Sequence, residues 1–69
     1  MKKVKINTEY ITLTQLLKIE NLISTGGMAK IFLLENKIYV NDILDNRRGR
    51  KLYKNDVIRI DNKGEFIIE

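Results

Sequence analysis

What most constrains the fold of this chain is a change in the period of its apolar residues near Asn36. Before that point they recur at helical spacing; after it they come in short runs separated by turn-forming residues. Thr12 can cap a helix, and Gln15 stands three positions later, as a capping box requires. Ile11 and Leu16 occupy the positions of a hydrophobic staple around that cap. Leu13, Leu16, Leu17, Ile19 and Ile23 follow at mostly helical spacing, which predicts a helix from Leu13 to about Asn21. Ser24 or Thr25 can cap a second helix, from about Gly26 to Glu35. Met28, Ile31, Phe32 and Leu34 would form its buried stripe, with Lys30 near the edge, and Asn36 is a stop. So short a connection favours a tight helix-turn-helix pair.

The rest reads as strands. Val4-Lys5-Ile6 can form a short first strand ahead of the helices. Lys37-Ile38-Tyr39-Val40 is β-prone, Asn41-Asp42 is turn-prone, and Ile43-Leu44 resumes the apolar character. The segment from Asp45 to Lys51 reads as a loop or irregular edge, and Tyr53-Lys54-Asn55-Asp56 as a turn. Val57-Ile58-Arg59-Ile60 and Glu65-Phe66-Ile67-Ile68 read as a hairpin closed by Asp61-Asn62-Lys63-Gly64. The expected class is α+β: a helix-turn-helix pair packed on a small, antiparallel-rich sheet.

Residue types absent from the chain narrow its chemistry. There is no cysteine and no histidine among the 69 residues, which removes disulfides, thiolate nucleophiles, nearly every zinc arrangement and the usual general base near neutral pH. The nine carboxylates show no metal or acid/base spacing, and no serine or threonine has a partner to activate it. Residues 1–69 therefore read as a single non-enzymatic domain with no cofactor, no metal and no small-molecule substrate. No stretch approaches the roughly 18 to 20 apolar residues that span a membrane. Met1-Lys2-Lys3-Val4-Lys5-Ile6 is basic but lacks the apolar region of a signal peptide. A cytoplasmic, monomeric protein with no membrane partner is the expectation.

Charge placement says more than the net +4. From Asn46 to Lys54 there are five cations and no acid: Arg47, Arg48, Arg50, Lys51 and Lys54. Three arginines in four residues repel one another unless an anion offsets them, and arginine binds phosphate bidentately and stacks on bases. Glycines at a helix start let an anion approach the free N–H groups, so Thr25-Gly26-Gly27 is a second candidate contact; the same glycines also serve a sharp turn. Lys30 lies one turn on and can face the same anion, and Lys18 on the first helix has a weaker claim. Asn41 can reach a base or sugar, or can hold its turn. Tyr39 and Tyr53 are the aromatics to test for stacking; Tyr10, Phe32 and Phe66 read as core or edge.

The order of these pieces resembles a known family. Leu13-x-x-Leu16-Leu17-Lys18, Thr25-Gly26-Gly27-x-Ala29-Lys30, Val40-Asn41-Asp42, Arg47-Arg48-Gly49-Arg50-Lys51-Leu52 and Asp56-Val57-Ile58 together are similar to the S-four RNA-binding domain, named after small-subunit ribosomal protein four. The likeness runs from about residue 11 to 60 and is strongest to the stand-alone bacterial YaaA-like group. Relatives often carry a glycine-glutamate pair after the asparagine, where this chain has Asp42 and then Ile43-Leu44-Asp45. The resemblance implies two helices on a small, strongly bent sheet and RNA binding along the helix pair and adjoining loop. It also implies a part in large-subunit ribosome assembly, with ribosomal RNA or a pre-ribosomal particle as partner. By position, Lys30 matches a basic residue of the second helix, Asn41 the asparagine of the strand turn, and Arg47, Arg48, Arg50 and Lys51 the basic strand-loop. Two rivals stand beside this reading: a module that offers its basic loop to an acidic protein, and a DNA-binding helix-turn-helix.

Overall fold

The computed structural model describes residues 1–69. Strand β1 (Lys2–Val4) leads to β2 (Tyr10–Thr12), which runs directly into helix α1 (Leu13–Ile19). A single 3-10 turn (Gly26–Met28) opens helix α2 (Ala29–Glu35). Strands β3 (Ile38–Val40), β4 (Ile43–Leu44), β5 (Lys51–Tyr53), β6 (Val57–Ile60) and β7 (Gly64–Ile68) complete the chain. Five strands form one mixed sheet in the order β1-β7-β6-β3-β4, with β1 parallel to β7 and the other pairs antiparallel. Strands β2 and β5 form a separate antiparallel ribbon. The class is the expected α+β. No helix is long and apolar enough to cross a membrane.

Local signals set the start of α1. The Thr12 hydroxyl accepts from the Gln15 N–H at 3.2 Å and the Gln15 side chain accepts from the Thr12 N–H at 2.7 Å, which completes the capping box. Ile11 and Leu16 are both buried, as a staple demands. The helix ends at Ile19, two residues before the expected stop, where Asn21 turns the chain with φ +59°. Leu13, Leu16 and Leu17 are buried but Ile19 is exposed, because it falls off the face that meets the sheet.

Helix α2 departs further from expectation. Thr25 precedes the 3-10 turn, but its side chain makes no capping hydrogen bond; the Ser24 hydroxyl instead donates to the Met28 sulfur. Ala29 and Leu33 are the buried residues of α2, Phe32 is half-buried, and Met28, Ile31 and Leu34 are exposed. In seven residues several stripes are geometrically open, and the packing surface, not the spacing, selects among them.

Two of the expected turns form. Asn41 and Asp42 both take positive φ, +51° and +69°, as the two-residue turn between Val40 and Ile43. This is the backbone twist that matches paired strands, and Asn and Asp tolerate it better than most residues with a side chain. Gly64, at φ +117°, closes the β6–β7 hairpin. Lys51–Tyr53, read as loop and turn from the sequence, is instead strand β5. It pairs with Tyr10–Thr12, so Ile11 and Leu52 meet in the core. Strand β1 lies earlier than Val4-Lys5-Ile6, because Val4 pairs with Ile68 in the sheet while Ile6 reaches only Glu69 through its N–H.

The core is one cluster of fifteen buried apolar residues between the helices and the sheets. Leu13, Leu16 and Leu17 from α1 meet Ile38, Val40, Ile58, Ile60 and Ile68 from the large sheet and Leu52 from the ribbon. The only buried charged residue is Asp45.

Candidate nucleic-acid interface

The first turn of a helix leaves backbone N–H groups without partners inside the helix. Here the basic loop supplies them. The Leu13 N–H donates to the Arg50 carbonyl at 2.8 Å, and the Thr14 N–H donates to the Arg48 carbonyl at 3.1 Å. The Thr14 hydroxyl donates to the same Arg48 carbonyl at 3.0 Å. The loop is thus docked by its main chain onto the N-terminus of α1, and the side chain of Arg48 is left exposed.

A second anchor comes from Asp45. Its N–H donates to the Ile38 carbonyl at 2.9 Å, which holds it beside β3. One carboxylate oxygen accepts from the N–H and Nε of Arg47, both at 3.0 Å. The other accepts from Arg47 Nη2 at 2.8 Å and Arg50 Nη1 at 2.7 Å. The Asp45 side chain is 6% exposed, against 69% for Arg47 and 29% for Arg50. The Arg47 side-chain bonds hold the Asp45 carboxyl well below the usual carboxylate range; its burial opposes this, and the Arg47 backbone N–H and Arg50 add to the lowering. One buried carboxylate therefore offsets the mutual repulsion of two arginines. From sequence alone that task falls to an external anion; in the fold Asp45 performs it. A lone acid at the edge of a cationic run is the signal that points to it.

The main chain and Asp45 together place the loop beside α2. Lys30, Leu33 and Leu34 of α2 line a concavity whose other wall is Asn46, Arg47, Arg48 and Gly49. Two of the expected segments therefore meet. Arg47 and Gly49 also line a second concavity on the far side of the loop, with Arg50, Lys51, Tyr53 and Asp56. Gly26 abuts Thr14, since a Cβ there would lie 3.8 Å from the Thr14 methyl, and Thr14 in turn holds Arg48. Lys18, Thr25, Gly27 and Asn41 line neither concavity. The start of α2 is a 3-10 turn on a seven-residue helix, a weaker dipole than the sequence promised.

Asn41 has a different task. Its Nδ2 donates to Asp56 Oδ1 and its Oδ1 accepts from the Val57 N–H, both at 3.0 Å. Asp56 Oδ2 accepts from the Tyr53 N–H at 2.8 Å. Both polar atoms of the Asn41 amide are thus engaged in clamping the Tyr53–Asp56 turn, a structural role across the sheet rather than within its own turn. Tyr39 is covered by the Arg59 guanidinium at 4.1 Å from its ring centre. Tyr53 is open, and Tyr10 lies against it with ring centres 5.7 Å apart.

A family model described as an S4 domain matches residues 4–69. The chain is also 56% identical over 63 residues to a Bacillus subtilis (strain 168) protein described as "Probable ribosome maturation protein RlbA", an alignment covering 91% of this chain and 89% of the relative. No solved structure matches the chain significantly.

Proposed function

The chain belongs to the S4 domain family, and from that premise we propose that it is a non-catalytic RNA-binding module acting in ribosome maturation. One arrangement carries the reading: Lys30 of α2 and Arg47, Arg48 and Gly49 of the basic loop line a single concavity. A phosphate seated there meets cations from two elements that the fold holds rigidly. Arg48 brings an unpaired guanidinium; Arg47 keeps the N–H groups that Asp45 does not occupy. Recognition is of backbone and shape, as suits structured RNA. In this reading Gly26, which abuts Thr14, continues the surface at the start of α2, and Arg50 and Lys51 continue it on the other side.

The partner proposed is ribosomal RNA or a pre-ribosomal particle, with a role in large-subunit assembly and a monomeric, cytoplasmic protein as the working form. The B. subtilis relative's description supports the maturation role. A DNA-reading helix is the poorer fit, because α2 presents Lys30 as its one cation and recognition helices offer several base-reading side chains.

The test is binding of ribosomal RNA across a salt series. Contact with about four phosphates sets a slope of log K against log salt of roughly −2.8 to −3.6. Replacing Arg47, Arg48 and Arg50 together by alanine flattens that slope by about 2 to 3 units, one phosphate contact being lost per arginine. A folded triple variant that binds as tightly as the wild type, or a ribosomal pull-down that survives ribonuclease, would sink the proposal.

A further inference from the structure

The outward face of the β2–β5 ribbon has no task in the docking of the loop or in the core. Its register places Ile11 and Leu52 inward and sends Tyr10, Tyr53, Thr12 and Lys51 to the other face. Tyr10 is 36% and Tyr53 42% exposed, side by side on the surface. Lys51 Nζ stands 4.9 Å from the centre of the Tyr10 ring. An aromatic step with a cation on it, open to solvent, is the combination that binds single-stranded nucleic acid: the rings stack bases and the cations hold the backbone.

The surroundings favour the same ligand. Tyr53 shares its concavity with Arg47, Gly49, Arg50, Lys51 and Asp56. Asp56, whose oxygens accept from Asn41 and the Tyr53 N–H, is outnumbered there by Arg47, Arg50 and Lys51. Arg47 and Gly49 belong to both concavities, so the loop forms a ridge between a groove against α2 and a groove ending at Tyr53. A strand that leaves the first groove over this ridge arrives at the tyrosines.

We propose that the Tyr10–Tyr53 step is a stacking site for an unpaired nucleotide of the bound RNA, next to the structured part held against α2. This rests on the RNA-binding reading above and adds to it the requirement for a single-stranded extension.

The experiment compares two RNA hairpins of identical stem, one blunt and one carrying a three-uridine extension, tested at each end. Stacking of one base makes the extended hairpin bind on the order of tenfold more tightly. Tyr53→Phe keeps the preference, because the ring face is retained. Tyr53→Leu removes it while binding to the blunt hairpin stays as in the wild type; Leu keeps an apolar side chain on the ribbon, and circular dichroism checks the fold. Tyr10→Leu is the second variant, should the first not fold, with the same loss expected. If wild type binds both hairpins equally, yet the triple arginine variant loses both, the stacking site is wrong and the RNA reading stands. A wild type that binds neither overturns both. A Tyr53→Leu variant that discriminates as the wild type does overturns the stacking site alone.

Discussion

Replacing Asp45 by Asn should expose how much of this surface depends on one buried acid. The carboxylate accepts three hydrogen bonds from the two guanidinium groups and one from the Arg47 backbone N–H. Asn can keep the backbone bond, but it loses the charge and turns an N–H₂ group toward donors. Arg47 is mostly exposed, so water recovers most of its pairing and its share is small. Arg50 is the more enclosed partner, and a charge-assisted bond of that kind contributes about 1.5–3 kcal/mol. The expected loss is then about 1.5–3 kcal/mol near neutral pH, or roughly 6–24 °C in Tm for a domain of this size. The pH dependence follows from the lowered Asp45 carboxyl. A carboxyl that is depressed in the folded state stabilises fully above its unfolded value near 3.9 and loses that contribution below it, at about 1.4 kcal/mol per pH unit. The gap between wild type and variant should therefore be constant above about pH 5 and narrow steadily as the pH falls below that. Urea unfolding followed by circular dichroism along a pH series measures it. A gap below about 0.5 kcal/mol at neutral pH, or one that persists undiminished in acid, would refute the reasoning.

Other perturbations separate structural from binding roles. Thr12→Ala removes the acceptor for the Gln15 N–H and should cost about 1 kcal/mol, read as a Tm lower by roughly 4–8 °C; an unchanged Tm would contradict the capping box. Asn41→Ala releases Asp56 and the Val57 N–H together. It should cost about 1–3 kcal/mol and speed hydrogen exchange at Tyr53 and Val57, whereas a loss of RNA affinity with unaltered exchange would make Asn41 a direct contact. Lys30→Ala should weaken RNA binding and lower the salt slope by about 0.7–0.9, one phosphate contact. Lys18→Ala, at a position that lines neither concavity, should do less, and equal effects of the two would place the RNA across α1 instead.

What the sequence determined by itself is whatever rests on residues close together in the chain. The capping box spans Thr12 to Gln15, the Asn41-Asp42 turn uses two residues, and the β6–β7 hairpin closes over Asp61-Asn62-Lys63. Each signal is complete within a few positions, so each was legible, and the ordered set was enough for the family. The tertiary structure decided everything that needs a distant partner. Strand β5 exists because Lys51–Tyr53 finds Tyr10–Thr12, some forty residues away, and no local pattern announces that pairing. The exposed side of α2 was settled by the surface its seven residues pack on, which left Ile31 and Leu34 outside where the spacing put them in the core. The arginine segment, visible as a cationic run, became a defined ridge only when its carbonyls took the free N–H groups of α1 and Asp45 was buried between two guanidinium groups. Repulsion between like charges can be read from sequence; the group that offsets it is known only once the chain has folded around it.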